Sequence, residues 1–352
     1  MPGKSPPDVF PRPACAVVSL RHVMDERYDA GMATHTFPRR GLLAAAAAGG
    51  LAAAAPAAAQ RPIERVGRAR LTPALNAYSF LEPLTANRAD PTRGLDLFGV
   101  CDFCADHDIE AVDLTGYFFP GYPSAPDDAY VARMKRHVHD RGIVISGTGV
   151  KNDFVTADAE ARAAGVQLTK DWIEVAARLG APVVRVFAGP TGTVRDWREA
   201  AGTASRDEVE GRMADDLRAC AEHGARFGVI VAVQNHGDFL ASGPEHLRLL
   251  ARVDHPWCGA LVDTGKYLTD DPYADIAMMV PHAVNWQVKE TLGSSLKSPR
   301  TDYGRLVKVI RDGGYRGFVP IETLAMGRAD YDPATEVLGA LAALRGAIAE
   351  LG

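Results

Sequence analysis

Four short apolar runs in the second half of this 352-residue chain end in side chains able to move protons or carry balancing charge. The first leads into Gln234-Asn235-His236-Gly237-Asp238, the second into Asp263-Thr264-Gly265-Lys266. The third carries Asn285, Gln287, Lys289 and Glu290, and the fourth ends in Glu322-Thr323. Acid–base and charge-stabilising catalysis is done by residues of these types. If the runs are strands, side chains alternate between faces, so Gln234 and His236 share one face, as do Gln287 and Lys289. A lysine or carboxylate turned into an apolar layer without a partner is costly, so these groups are expected to point toward one another.

The elements that would position them repeat along the chain. Strand candidates fall at residues 73–80, 109–115, 142–148, 182–188, 229–235, 258–264, 282–289 and 316–322, with amphipathic stretches between. In one such stretch, Ala159 to Leu179, the residues Leu168, Trp172, Val175 and Leu179 recur on one helix face, and Gly180 and Pro182 stop the helix. Another opens on Ser205 and Glu208, a capping box, and ends at Gly228. Eight strand–helix units predict an α/β fold, a (β/α)8 TIM barrel forming a single domain over residues 60–352. An open doubly wound sheet would carry a Gly-rich loop after its first strand, and Asn76-Ala77-Tyr78-Ser79-Phe80 is not one. In a barrel, polar residues ending successive strands meet at one mouth.

At these residues the chain resembles the xylose-isomerase-like sugar phosphate isomerase/epimerase superfamily. The resemblance rests on the four strand ends quoted above, with Val112-Asp113-Leu114-Thr115-Gly116-Tyr117 and Ser146-Gly147-Thr148-Gly149 on strands two and three, and it covers residues 71–349. It is especially close to an exported branch. It implies a divalent cation, Mn, Mg or Ca, held at the positions of Gln234, Asp263, Gln287 and Glu322. Two of these are amides where the superfamily has Glu and His, which lowers the charge of the site and leaves oxygen donors that suit a hard ion. His236 and Glu290 stand near enough in sequence to substitute, although alternation puts Glu290 opposite Gln287.

The chemistry implied is proton abstraction next to a sugar carbonyl through an enediolate, giving isomerisation or epimerisation. Catalytic candidates are Glu322 for proton transfer, Lys289, His236 and Glu290. Should metal binding be weak, Lys289 and Lys266 can supply positive charge beside the oxyanion, Lys266 standing where many superfamily members have a substrate-binding His. A keto-sugar or glycoside lyase or hydratase using the same abstraction is the first alternative, and a non-catalytic sugar-binding barrel the second.

Substrate contacts are expected from Asn235, Lys266, Asp113 and Tyr117, the last in an aromatic loop, Gly116 to Tyr122, whose rings suit the C–H faces of a sugar. Arg185, in an apolar strand, reads foremost as an ion-pair partner inside the barrel and secondly as a substrate contact to phosphate, and Lys151, in the loop after strand three, is a further substrate-contact candidate of less weight. Cys101 and Cys104 share a helix face with Leu97 and Val100 and are expected to pack in the core rather than bind metal.

A formal net charge of −5 offers no basic surface for nucleic acid, and five cysteines are too few for a disulfide scaffold. Gly-x-Ser-x-Gly, Walker and His-Glu-x-x-His motifs are missing, which leaves serine hydrolase, NTPase and zincin readings without support. Residues 1–59 read as a leader: twin Arg39-Arg40 precedes an Ala-rich run ending in Ala57-Ala58-Ala59, with cleavage before Gln60. Residues 1–31 precede Met32 and read as a mis-assigned extension of the start. The expectation is a protein exported to the periplasm by the twin-arginine route, with no membrane span left after cleavage and a small carbohydrate as its partner.

Overall fold

A computed structural model describes residues 61–190, 196–236, 239–293 and 297–351. The leader and its cleavage point lie outside the described residues, as do Gly237 and Asp238. Eight parallel strands close into a barrel in sequential order: β1 (Arg70–Asn76), β2 (Ala111–Thr115), β3 (Val144–Gly149), β4 (Val183–Phe187), β5 (Ile230–Gln234), β6 (Cys258–Asp263), β7 (Ala283–Lys289) and β8 (Arg316–Glu322). Closure is made by β1 and β8, with Leu75 opposite Ile321.

The helices are α1 (Leu81–Ala89), α2 (Leu97–Asp106), α3 (Asp128–Asp140), α4 (Ala159–Leu179), α5 (Trp197–Ala201), α6 (Arg206–Phe227), α7 (Gly243–Val253), α8 (Pro272–Met279), α9 (Tyr303–Asp312) and α10 (Pro333–Leu351). Among the described residues no helix is long and apolar enough to cross a membrane.

Local chemistry sets the helix ends where the residue pattern places them. Asp158 caps α4 by accepting from the amides of Glu160 and Ala161, and Gly180 ends it with φ +83°. Both halves of the Ser205–Glu208 capping box form at the start of α6. The outward residues of the strands, Val231, Val233, Val262, Val288 and Ile321 among them, pack with the helices in one large core. Inside the barrel a small apolar plug of Val183, Ala232 and Leu261 forms a separate cluster. The polar groups sit above this plug at the carboxyl ends of the strands, so the lumen is a filled floor under a charged layer.

The first strand departs from expectation. It ends at Asn76, not at residue 80, and Ala77–Phe80 is a single 3-10 turn. The Asn76 side chain accepts from the Tyr78 amide at 2.9 Å and turns the chain out of the strand, an Asx turn that the apolar content of Tyr78 to Phe80 concealed. Cys101 and Cys104 are fully buried in α2, and burial pushes the Cys101 thiol up to about 12, so both behave as small core hydrophobes.

Candidate active site

Lys289 ends β7 and is the centre of the charged layer. Its backbone is held from both sides: its amide donates to Thr264 Oγ1 at 2.9 Å, and its carbonyl accepts from Thr301 Oγ1 at 2.7 Å. Register places it directly beside Glu322 of β8, just as it places Asp263 of β6 beside Gln287 of β7. The Lys289 ammonium donates to Glu322 Oε1 and stands 3.6 Å from Asp263 Oδ2. All three side chains are at most 5% exposed, so this is a buried carboxylate–ammonium–carboxylate triad. Burial works against the charge on Lys289, but Asp263 and Glu322 outweigh it and hold the ammonium above its ordinary range.

Asp263 is further fixed by two donors. Gln234 Nε2 reaches its Oδ2 at 2.8 Å and the Gly265 amide its Oδ1 at 3.0 Å. The same Gln234 Nε2 donates to Gln287 Oε1 at 2.6 Å, which leaves Gln234 Oε1 buried with no partner. A buried carbonyl oxygen without a donor leaves an acceptor unused. Gly265 has no room for a side chain, since a Cβ there would fall 2.8 Å from Lys289 Cγ and from the Thr291 carbonyl.

Across the barrel, Asp113 of β2 accepts from Asn285 Nδ2 at 2.8 Å. Burial raises its carboxyl to about 6 despite Arg185 nearby. Arg185 of β4 donates to the Val150 carbonyl at 2.5 Å and to the Tyr117 hydroxyl at 2.8 Å, while its guanidinium lies 4.0 Å from the centre of the Phe187 ring. The expected ion pair for Arg185 is therefore replaced by neutral oxygens from the segments that follow β2 and β3 and by an aromatic face. Gly149 makes that approach possible, as a Cβ there would meet the guanidinium at 2.8 Å.

Tyr117 receives Arg185, and the Lys151 ammonium stands over its ring at 4.8 Å. His236 packs edge-on to Phe187 at 4.6 Å. Burial, with Lys266, Lys289 and Arg185 adding to it, lowers the imidazole to about 3, so it is neutral at ordinary pH. Lys266 follows β6 and acts on His236 from that side. Tyr78 stands edge-on to Tyr117 at 5.9 Å and within the field of Glu322 and Lys289. A strand expected to run to residue 80 hides Tyr78, and the Asx turn at Asn76 is the signal that brings it to the barrel mouth. A separate cavity of about 820 Å³ opens beside Lys151 and Asn152, between the loop after β3 and the first turns of α4.

Two expected site residues are elsewhere. Both amide atoms of Asn235 are spent on the Asp263 backbone, accepting from its N–H at 2.8 Å and donating to its carbonyl at 2.9 Å, so Asn235 locks β5 to β6 rather than facing substrate. Glu290 turns away from the lumen: its Oε2 accepts from the Leu324 amide at 3.3 Å and lies 3.9 Å from Arg328. Strand alternation carries it to the helix side, where burial and the neighbouring Glu336 raise its carboxyl.

The positions expected to hold a divalent cation do meet, but their chemistry does not fit one. Gln234, Asp263 and Gln287 hydrogen-bond among themselves, and both carboxylates of the set, Asp263 and Glu322, face the Lys289 ammonium. Among the described residues no group of three or more His, Cys, Asp and Glu could hold a metal. A dication bound by both carboxylates would stand against an ammonium already there.

Comparison with known proteins agrees with the fold. No curated protein matches the sequence. A D-psicose 3-epimerase from Clostridium cellulolyticum H10 superposes with a TM-score of 0.64 at 13% identity, covering 79% of this chain and 99% of that one. A 3-keto-D-glucoside 4-epimerase from E. coli superposes at 0.60 and 15% identity, covering 79% of this chain and 100% of the other. An IolI protein with a bound zinc atom superposes at 0.63 and 12% identity, over 79% and 98%. The xylose isomerase-like TIM barrel family matches residues 101–346, more than half of the sequence, and with the closed eight-stranded barrel and its charged mouth the chain belongs to that family.

Proposed function

We propose that the protein is an isomerase or epimerase acting on a free sugar, keto-sugar or glycoside, removing the proton beside the carbonyl. The observation that carries this reading is the buried Asp263–Lys289–Glu322 triad at the carboxyl ends of β6 to β8. In this reading a substrate hydroxyl satisfies Gln234 Oε1, and the carbonyl oxygen approaches the Lys289 ammonium. Glu322 takes the C–H proton and becomes neutral, and the enediolate that forms is balanced by Lys289, which keeps its proton. Return of that proton to the neighbouring carbon, with the hydroxyl proton of the intermediate passing to the former carbonyl oxygen, isomerises the sugar, and delivery of a proton from water to the opposite face of the original carbon epimerises it. Tyr78 and Tyr117 offer aromatic surface at the mouth for the C–H face of the ring. No step is assigned to a metal. Twin Arg39-Arg40 and the Ala-rich run after it support export before Gln60, which amino-terminal sequencing of the secreted protein tests.

Incubation with keto-sugars in deuterated water tests the chemistry. Deuterium gained at the α-carbon without loss of a substituent supports the reading. Release of a leaving group would make the protein a lyase or hydratase instead. A sugar that raises the melting temperature while no exchange occurs would reduce it to a binding barrel.

A further inference from the structure

We propose that the Lys289 ammonium is the built-in cation of this site, and that removing it turns the same side chains into a binding site for a hard divalent ion. The inference stands on geometry and needs no particular reaction. Asp263 Oδ2 and Glu322 Oε1 both face Lys289 Nζ, which gives the triad a net charge of one negative unit around a centre that is already cationic. The Lys289 backbone is pinned through Thr264 and Thr301, so the ammonium is aimed by β7 and is not a chance visitor from a mobile chain. Gly265 leaves the space its stem occupies, with a Cβ there falling 2.8 Å from Lys289 Cγ.

The ammonium faces two carboxylates, and Asp263 is in turn hydrogen-bonded to Gln234, which bonds Gln287, so the neighbouring donors are hard oxygens. Two carboxylates and Gln287 Oε1 are present, and Gln234 Oε1 is a second amide oxygen, on a side chain 2% exposed, that no donor satisfies. With Lys289 shortened to a neutral side chain, the two carboxylates would be left buried without a cation, and two neutral carbonyl oxygens would complete an oxygen-only set. Such a set favours Mn²⁺, Mg²⁺ or Ca²⁺ over a softer ion. The lysine and the dication are thus alternatives for one place, and the chain carries the one that cannot be lost by chelation.

The test uses full-length protein dialysed against EDTA and titrated with Mn²⁺, reading free Mn²⁺ by electron paramagnetic resonance and the melting temperature in parallel. Wild type is expected to take no saturable Mn²⁺ at millimolar concentration and to melt at an unchanged temperature. Lys289→Met is expected to bind one Mn²⁺ per chain at least about tenfold more tightly, with a melting temperature that rises with Mn²⁺. Lys289→Gln is made beside it, so that poor folding of one variant leaves the other. Adding Asp263→Asn to either should abolish the gain. Stoichiometric Mn²⁺ in wild type that Asp263→Asn removes would overturn the proposal, and so would folded Lys289 variants that bind none. Sugars take no part in the measurement, so its failure is distinct from failure of the isomerase reading.

Discussion

Replacing Lys289 by Met and Glu322 by Gln, singly and together, measures whether the buried triad holds the site by mutual compensation. At 3.6 Å the Lys289–Asp263 attraction is worth about 5 kcal/mol at an effective dielectric near 20, and the closer Glu322 adds a term at least as large. Most of this offsets the desolvation of three buried charges. The consequence is asymmetric. Lys289→Met leaves two carboxylates buried without a cation and is expected to cost about 3–5 kcal/mol at neutral pH. Glu322→Gln leaves Lys289 paired with Asp263 and facing an amide oxygen, and should cost about 1–3 kcal/mol, the range of a hydrogen bond to a charged group. In the double variant Asp263 still has the Gln234 and Gly265 donors, so the cost should stay near that of Glu322→Gln alone. A coupling equal in size to the whole cost of Lys289→Met, about 3–5 kcal/mol, follows. Urea unfolding at pH 7 reads all four proteins. Burial and Asp263 raise the Glu322 carboxyl, and without Lys289 they act unopposed by it, so the destabilisation of Lys289→Met should shrink as the pH falls and Glu322 takes up a proton. Additivity within about 0.5 kcal/mol, or a larger loss for Glu322→Gln than for Lys289→Met, would refute the triad.

Other residues give separate tests. His236 is lowered from 6.5 to about 3, so the unfolded chain binds its proton first and stability should fall as pH drops below 6.5; His236→Gln is expected to flatten melting curves by about 2 kcal/mol between about pH 6.5 and pH 5. Asp113 has the opposite sign: raised from 3.8 to about 6, it is protonated first in the folded state, so Asp113→Asn should stabilise at pH 7 by about 1–3 kcal/mol and lose that gain by about pH 4 in urea titrations. Asn235→Ala strips both partners from the Asp263 backbone and should cost about 2–5 kcal/mol in unfolding experiments, and a neutral outcome would remove its role as a clamp. Gly149→Ala drives a methyl to within 2.8 Å of the Arg185 guanidinium, so a loss of about 1–3 kcal/mol in unfolding experiments is expected.

The alternation of apolar runs with capped amphipathic helices was enough to place the barrel, since strand period, Gly180, Ser205 and Gly228 are local signals read from neighbours in the chain. The convergence of Gln234, Asp263, Gln287, Lys289 and Glu322 was legible for the same reason, because strand parity and barrel closure together dictate which strand-end residues share a mouth. Glu290 lay beyond the reach of neither rule, and its excursion to Arg328 is what parity alone implies. Asn235 is different: its type suits a substrate contact, and only the approach of the Asp263 backbone from β6 shows that its amide is already spent.

Which side chains meet was thus determined by the sequence through short-range periodicity and the regularity of a closed parallel sheet. Which atom is paired with which was decided only by tertiary structure. Lys289 belongs to Glu322, 33 positions away, and to Asp263, 26 positions the other way, and their order in the chain carries no distance between Nζ and the two carboxylates. Electrostatic balance in a buried layer depends on separations of a few ångströms, and those are set by strand register and by the packing beneath.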